Sequence, residues 1–146
     1  MKGAVRIYVD KNTKKVYLLK EYKTSIGFWR VMGDLISVDR DVLKKNILAC
    51  IRESIESYGK NIEKAEPFRK SPYKTWNRFF KYHSSISCEH DIQTKKYHIA
   101  LKSSDEKTHS YGSPLPNCEF TLTEEEFDER FDEIMDFLIS KVEMIK

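Results

Sequence analysis

The chain has 146 residues, 40% hydrophobic and 34% charged, with a formal net charge of +3. This composition excludes an intrinsically disordered chain, and the length fits a single domain over residues 1–146. No apolar run approaches the roughly 20 residues that span a bilayer, and the N-terminus lacks a signal-peptide pattern, so we expect no membrane partner. Three widely spaced cysteines, Cys50, Cys88 and Cys118, favour buried free thiols and a cytoplasmic location.

The N-terminal third predicts two regular strands and one irregular strand. Residues 4–9 and 15–21 have strand-like composition, and a turn-rich tetrad at residues 10–13 joins them as a hairpin. Residues 26–38 are apolar and β-branched at their ends but contain two glycines. That combination indicates either a third, irregular strand or two short ones.

A helix and a polar loop are expected next. Either Ser37 or Asp39 can cap the helix, and Gly59 ends it. Its apolar positions recur at helical spacing: Leu43, Ile47, Ile51 and Tyr58. Residues 60–74 are polar and interrupted by prolines, so a loop or short turns should follow.

The segment 60–82 combines positive charge with aromatic residues and ends in a predicted short helix over residues 75–82. It carries seven Lys and Arg residues against two Glu. Because cations bind phosphates and aromatic rings stack on bases, one interpretation is a single-stranded nucleic-acid site formed by Lys70, Lys74, Trp76, Arg78 and Lys81. The favoured alternative is that Trp76, Phe79 and Phe80 pack the short helix onto the sheet, which makes direct nucleic-acid binding a minor hypothesis.

The next hairpin has the most strongly determined register. With a two-residue turn at Gln93 and Thr94, one face is mostly apolar, pairing Ile86, Cys88, His90 and Ile92 with Leu101, Ile99, Tyr97 and Lys95. The other face pairs Glu89 with His98 and Asp91 with Lys96. A slip of one residue would destroy both patterns, which specifies the pairing.

The C-terminal third predicts a loop, a strand and a helix. Residues 103–117 contain glycine and two prolines and are expected to form a loop, and residues 118–122 a short strand. Thr123 and Glu126 have capping-box spacing, and an apolar stripe follows: Phe127, Phe131, Ile134, Leu138 and Val142. The whole pattern predicts an α+β fold, a single domain in which a mostly antiparallel sheet packs against two main helices plus a short aromatic helix.

The last helix is strongly acidic on its other side. Between Thr123 and Asp136 there are eight carboxylates and one arginine, so this stretch carries −7 and the rest of the chain +10. Like charges three or four residues apart repel by roughly 0.2–0.5 kcal/mol per pair. The residues that form this acidic face are Glu125, Glu129, Asp132, Glu133 and Asp136. The face is either a solvated surface or a site for a basic partner.

Catalytic and metal-binding motifs are absent from the sequence. There is no phosphate-binding loop, nucleophile elbow or His-Glu-x-x-His run. A zinc site would have to use Cys88, His90, His98 and Cys118, but the hairpin register separates the histidines and no Cys-x-x-Cys pair is present. Cys50 lies on an apolar helix face, where a thiol is usually inert. An enzyme with His83 or His109 beside an acid is a weaker alternative, so we expect no catalytic residues, metal or cofactor.

Four segments follow one another in an order that is similar to that of a known family: residues 47–57 of the first helix, the run 74–81 around Trp76, the strand 97–101, and the strand 120–122 with the helix after it. In the order of these elements, the chain resembles the small immunity proteins of bacterial contact-dependent growth inhibition systems. The resemblance implies a cytoplasmic bacterial protein without enzymatic activity. Such a protein binds and neutralises a cognate toxin domain, often a nuclease, at the C-terminal region of a large exported effector.

No toxin-contacting residue follows from the resemblance, because such families share a scaffold while their contact residues diverge. The residues themselves supply the site hypothesis. Nucleases have basic clefts, and a carboxylate-rich surface that mimics phosphates would bind one and accelerate association. The acidic face is therefore the predicted toxin-binding surface, and its action would be stoichiometric occlusion of the toxin.

Overall fold

A computed structural model describes residues 1–142. These residues form six strands and three α-helices, which confirms the α+β class. The strands are β1 (Lys2–Asp10), β2 (Val16–Lys23), β3 (Trp29–Val38), β4 (His83–Asp91), β5 (Lys96–Asp105) and β6 (Ser110–Thr123). The helices are α1 (Leu43–Glu56), α2 (Trp76–Tyr82) and α3 (Glu124–Ser140).

The strands make one antiparallel sheet in the order β3-β2-β1-β4-β5-β6. Each half of the sheet is a three-stranded meander followed by a long helix, since α1 follows β3 and α3 follows β6. The halves join where β1 pairs with β4, from Lys2 opposite Asp91 to Asp10 opposite His83. Consecutive strands are therefore paired throughout, except that β3 and β4 lie apart because β4 pairs with β1.

The main core lies between one sheet face and the helices α1 and α3. Alternate residues of β1, namely Val5, Ile7 and Val9, are fully buried there together with the apolar stripes of both helices. Gly3 allows α1 to lie close to β1: a Cβ at this position would come within 2.7 Å of the Ile51 carbonyl oxygen. The first meander and the first helix are thus joined by close backbone packing.

The opposite sheet face carries a smaller, aromatic core. Tyr8, Leu19 and Phe79 are fully buried there, and Trp76 and Tyr111 pack around them. We call this group the aromatic cluster. It holds α2 and the segment before it against the sheet, so the sheet is covered by long helices on one face and by α2 on part of the other.

The predicted register of the β4–β5 hairpin is confirmed. Ile86 lies opposite Leu101, Cys88 opposite Ile99, and His90 opposite Tyr97, and the polar pairs of the other face are also in place. The turn itself has four residues, Ile92 to Lys95, not two. The Asp91 carboxylate accepts bonds from the backbone N–H groups of Gln93 and Thr94, which stabilises this longer turn.

The expectation of a loop over residues 103–117 is wrong. Most of that stretch belongs to the β5–β6 hairpin, with Pro114 and Pro116 inside β6. An edge strand tolerates proline because one side of its backbone needs no ladder partner. The register also shifts on both sides of Lys102, where β6 accommodates its irregular sequence. Composition alone therefore masked a long edge strand.

The first helix is shorter than the sequence predicts. A 3-10 turn over Arg40–Val42 precedes it, and Asp39 sits at the cap position without a side-chain hydrogen bond. Tyr58 lies beyond the helix end and is 44% exposed, so it is not part of the buried stripe. The irregular strand over residues 26–38 is one strand, β3, with a shift in register against β2 near Gly33.

Candidate partner-binding surface

The helix that carries the acidic face is built as the sequence predicts. The Thr123 hydroxyl accepts a bond from the Glu126 N–H at 3.1 Å, and the Glu126 carboxylate accepts one from the Thr123 N–H at 3.0 Å. This capping box satisfies two backbone donors at the helix start, and it lowers the pKa of Glu126 because the charged carboxylate accepts the bond from the Thr123 backbone N–H. The predicted apolar stripe is buried against the sheet: Phe127, Phe131, Ile134, Leu138 and Val142.

All five carboxylates of the acidic face are exposed, but they are not equivalent. Asp136 accepts a hydrogen bond from the Arg40 guanidinium at 2.5 Å. Glu133 lies 3.4 Å from Arg130 of the same helix. Among the described residues, Glu125, Glu129 and Asp132 have no ion-pair partner within 4.0 Å. The unpaired centre of the acidic face is therefore three carboxylates wide.

Cations from the first half of the chain border this surface on one side. Lys44 of α1 pairs with Asp128, and its ammonium also donates to the Asp128 backbone carbonyl at 3.0 Å. With the Arg40–Asp136 pair, these contacts fasten α3 to α1 and its preceding turn. Two of the eight carboxylates in this stretch, Asp128 and Asp136, thus pair with cations from the first half of the chain, a distinction that the sequence pattern does not reveal.

The basic aromatic segment 60–82 has its aromatic residues largely in the core. Phe79 and Phe80 are fully buried, and Trp76 is half-buried with its indole N–H donating to the His109 carbonyl at 2.7 Å. Thr75 caps α2 by accepting from the Arg78 N–H. The favoured interpretation is confirmed: these rings pack the short helix onto the sheet. The lysines and Arg78 around them are exposed.

His83, one of the two histidines considered for catalysis, lies in the protein core. His83 is fully buried, with Nδ1 2.9 Å from the Phe79 carbonyl oxygen and Nε2 3.8 Å from the Asp10 carboxylate. Burial lowers the pKa of His83, although the Phe79 carbonyl and Asp10 oppose the shift. The His83 ring stacks on the Phe79 ring with their centroids 3.9 Å apart, so it belongs to the aromatic core.

The thiols and the remaining histidines do not converge on a metal site. Cys88 is fully buried, which raises its pKa to about 12, and burial also raises the pKa of Cys50. His98 is bound instead to Glu119 at 2.7 Å, on the sheet face opposite to Cys88. Within residues 1–142, no three His, Cys, Asp or Glu side chains are grouped so that they could hold a metal ion.

A second surface feature, which the sequence did not suggest, is a cavity of about 470 Å³ on the sheet face opposite to α3. Each strand contributes to it, and in sheet order the side chains are Trp29, Glu21, Arg6, Ser87, Lys102 and Tyr111. Trp76 of α2 also lines it. We call this feature the sheet cavity. No local sequence pattern predicts it, because its walls come from six strands that meet only in the fold.

The fold is shared with solved structures of very low sequence similarity. A protein of unknown function from Neisseria meningitidis matches with a TM-score of 0.65 and 9% identity, over 97% of this chain and 95% of that chain. A chain of the CdiA-CT/CdiI toxin and immunity complex from Yersinia pseudotuberculosis matches with a TM-score of 0.58 and 10% identity, over 96% and 97%. At these identities the similarity shows the fold alone.

Comparisons of the sequence itself gave no match. No protein-family model matches the chain. No curated protein matches it either. In residues 1–142, every helix is too short or too polar to cross a membrane.

Proposed function

We propose that this protein is an immunity protein that binds and neutralises a toxin domain of the contact-dependent growth inhibition type. The observation that carries the proposal is the fold shared over nearly the whole length of both chains with a chain of a CdiA-CT/CdiI toxin and immunity complex. The toxin partner would be the C-terminal region of a large exported effector, most simply a nuclease. The proposed mechanism is stoichiometric occlusion, so the protein itself catalyses no reaction.

The acidic face is the proposed toxin-binding surface. Its unpaired centre, Glu125, Glu129 and Asp132, lies on an exposed helix side whose opposite stripe is firmly packed, so the carboxylates are held on a rigid element. Neighbouring like charges disfavour the helix slightly, and a basic partner would reverse that cost. A basic nuclease cleft supplies such charges, and complementary charge accelerates the encounter.

The test of the function is growth rescue. The gene immediately upstream of this one would be searched for a large exported protein, and its C-terminal domain expressed in Escherichia coli with and without this chain. We expect the domain alone to stop growth and the two together to restore it, with a one-to-one complex on size-exclusion chromatography. Continued arrest in the presence of well-folded protein would refute the proposal.

The test of the surface is a charge reversal with a matched control. Glu129→Lys and Asp132→Lys should each lower the association rate with the upstream-encoded domain at low salt by about tenfold. Glu56→Lys makes the same charge change at an exposed position of α1 that has no ion pair among the described residues, and it should have a much smaller effect. Equal rates for all three variants and the parent would remove the acidic face from the interface and leave the function itself intact.

A further inference from the structure

The sheet cavity is lined by buried polar groups that lower the stability of the protein when no ligand is bound. Glu21 is buried, and the Arg6 Nε donates to it at 2.9 Å. Burying the Glu21 carboxylate carries a desolvation cost, which the half-buried Arg6 offsets only in part. Burial raises the pKa of Glu21, with Arg6 opposing the shift, which is the signature of that cost. An ordinary solvated sheet face would not bury this carboxylate.

The hydroxyl of Tyr8 is a second buried polar group of this cavity, and within residues 1–142 it makes no hydrogen bond that stabilises the fold. Tyr8 is fully buried, yet its hydroxyl has no hydrogen-bond partner among the described residues. The tyrosine lines the sheet cavity beside Arg6. Buried hydroxyls without partners are rare in native structures and destabilise the fold. The aromatic cluster uses the ring of Tyr8, whereas the hydroxyl lies beside Arg6 without a hydrogen bond of good geometry, so an acceptor bound in the cavity would satisfy both groups.

The polar groups of the cavity are mostly donors. The Arg6 Nε donates to Glu21, and the guanidinium also lies beside the Tyr8 hydroxyl. Lys102 has no ion pair within residues 1–142. The carboxylate of the site, Glu21, is already bonded to Arg6. A ligand must therefore supply acceptors, and guanidinium and ammonium groups bind carboxylates and phosphates best.

The walls of the cavity add flat apolar surface. Trp29 of β3, Tyr111 of β6 and Trp76 of α2 all line the cavity. A volume of about 470 Å³ is within the range of small-molecule sites, which combine aromatic walls with a few convergent polar groups. With the two cations Arg6 and Lys102 against the one carboxylate Glu21, the size and lining fit an organic ring that carries one anionic group.

We propose that the sheet cavity binds a small aromatic oxyanion, whose carboxylate or phosphate contacts Arg6, Lys102 and the Tyr8 hydroxyl while its ring packs against Trp29 and Trp76. The site lies on the opposite face of the sheet from α3 and is independent of the toxin-binding proposal. Its ligand has the opposite charge to the basic partner expected at the acidic face.

The two tryptophans of the chain, Trp29 and Trp76, both line the cavity, so intrinsic tryptophan fluorescence reports on this site. The intact protein would be titrated at constant ionic strength with adenosine monophosphate, benzoate, adenosine and inorganic phosphate. We expect a saturable change with at least one of the first two, and binding at least about tenfold weaker for adenosine and phosphate. The preferred anion then distinguishes a phosphate ester from a carboxylate. No saturable change with either aromatic anion would overturn the proposal.

Two variants separate a ligand site from a structural role. Lys102→Gln should weaken binding of the better anion by about tenfold, whereas Lys107→Gln, an exposed lysine in the neighbouring turn, should not. Tyr8→Phe keeps the ring and should weaken binding while leaving the midpoint of urea unfolding unchanged or higher. An equal loss with Lys107→Gln would show unspecific charge attraction, and a lower unfolding midpoint with unchanged affinity would assign the hydroxyl to the fold; either result refutes the site.

Discussion

The two faces of the sheet are covered by different kinds of element and side chain. One face is covered by α1 and α3, whose buried residues recur at helical spacing over short stretches of chain. The other face is covered in part by α2 and the aromatic cluster, and elsewhere it forms the polar sheet cavity. The first face is a continuous apolar core with exposed charge outside it. The second encloses charge and hydroxyl groups beside its aromatic core.

On one face, the residues that stabilise the fold are separate from those proposed to bind a partner, and on the other face they are partly the same. On the helical face, the apolar stripe of α3 points to the sheet and the carboxylates point away, so charge can change without disturbing the core. On the other face, Tyr8 belongs to the aromatic cluster and also lines the cavity, so packing and recognition share residues. Variants on the second face should therefore affect folding more than charge changes on the first.

The largest expected effect is that of Phe79→Ala. Phe79 is fully buried at the centre of the aromatic cluster, with ring centroids 5.0 Å from Tyr8 and 3.9 Å from His83. Removing it should lower the free energy of unfolding by about 3–5 kcal/mol, measured by urea denaturation. Phe28→Ala is the control, since Phe28 is 66% exposed and its loss should stay within about 0.5 kcal/mol. A small effect of Phe79→Ala would mean that the second face contributes little to the core.

A comparison of the two threonine caps comes next. Thr123→Ala removes the capping box of α3 and should cost about 1 kcal/mol in urea denaturation. Thr75→Ala removes a single, longer bond of 3.3 Å to the Arg78 N–H at the start of the short helix α2, and should cost less. If Thr75→Ala were the more damaging change, the short helix would contribute more to stability than the long one.

The buried His83 predicts a pH dependence on the aromatic face. Its pKa lies below 6.5 in the fold because burial disfavours the charged ring, so below pH 6.5 the unfolded chain binds more protons. Its contribution to stability is present above that pH and is lost as the pH falls through 6.5 towards the folded pKa. His83→Phe should therefore show a smaller loss of unfolding free energy between pH 7 and pH 5 than the parent protein. An equal or larger loss in the variant would contradict this assignment.

The smallest expected effects are those of single carboxylates on the acidic face. Glu129→Gln removes repulsion from Glu125, Asp132 and Glu133 and should raise the free energy of unfolding by about 0.5 kcal/mol at low salt. Asp136→Asn also loses the ion pair with Arg40, so it should show no such gain. Both differences should shrink in 1 M salt, where charges are screened. Destabilisation by Glu129→Gln would give that carboxylate a structural role.

Local patterns predicted much of the fold because their causes are local. Helix α3 with its cap, the α2 helix and the β4–β5 register all follow from periodicity, cap chemistry and side-chain alternation within about twenty residues. The predicted loop over residues 103–117 failed because an edge strand can carry Pro114 and Pro116 once a neighbouring strand pairs with it. Composition near those prolines cannot show that the neighbour exists.

The candidate site divides in the same way. Helix geometry fixes which residues share a face, so the sequence was enough to predict that five carboxylates lie on one exposed side of α3. Only the tertiary structure decided that Arg40 pairs with Asp136 across 96 positions of chain, leaving Glu125, Glu129 and Asp132 as the unpaired centre. Only the tertiary structure could bring Arg6, Glu21 and Lys102 to one cavity, since three different strands of the sheet carry them. Contacts of that kind depend on strand order, which no stretch of sequence encodes alone.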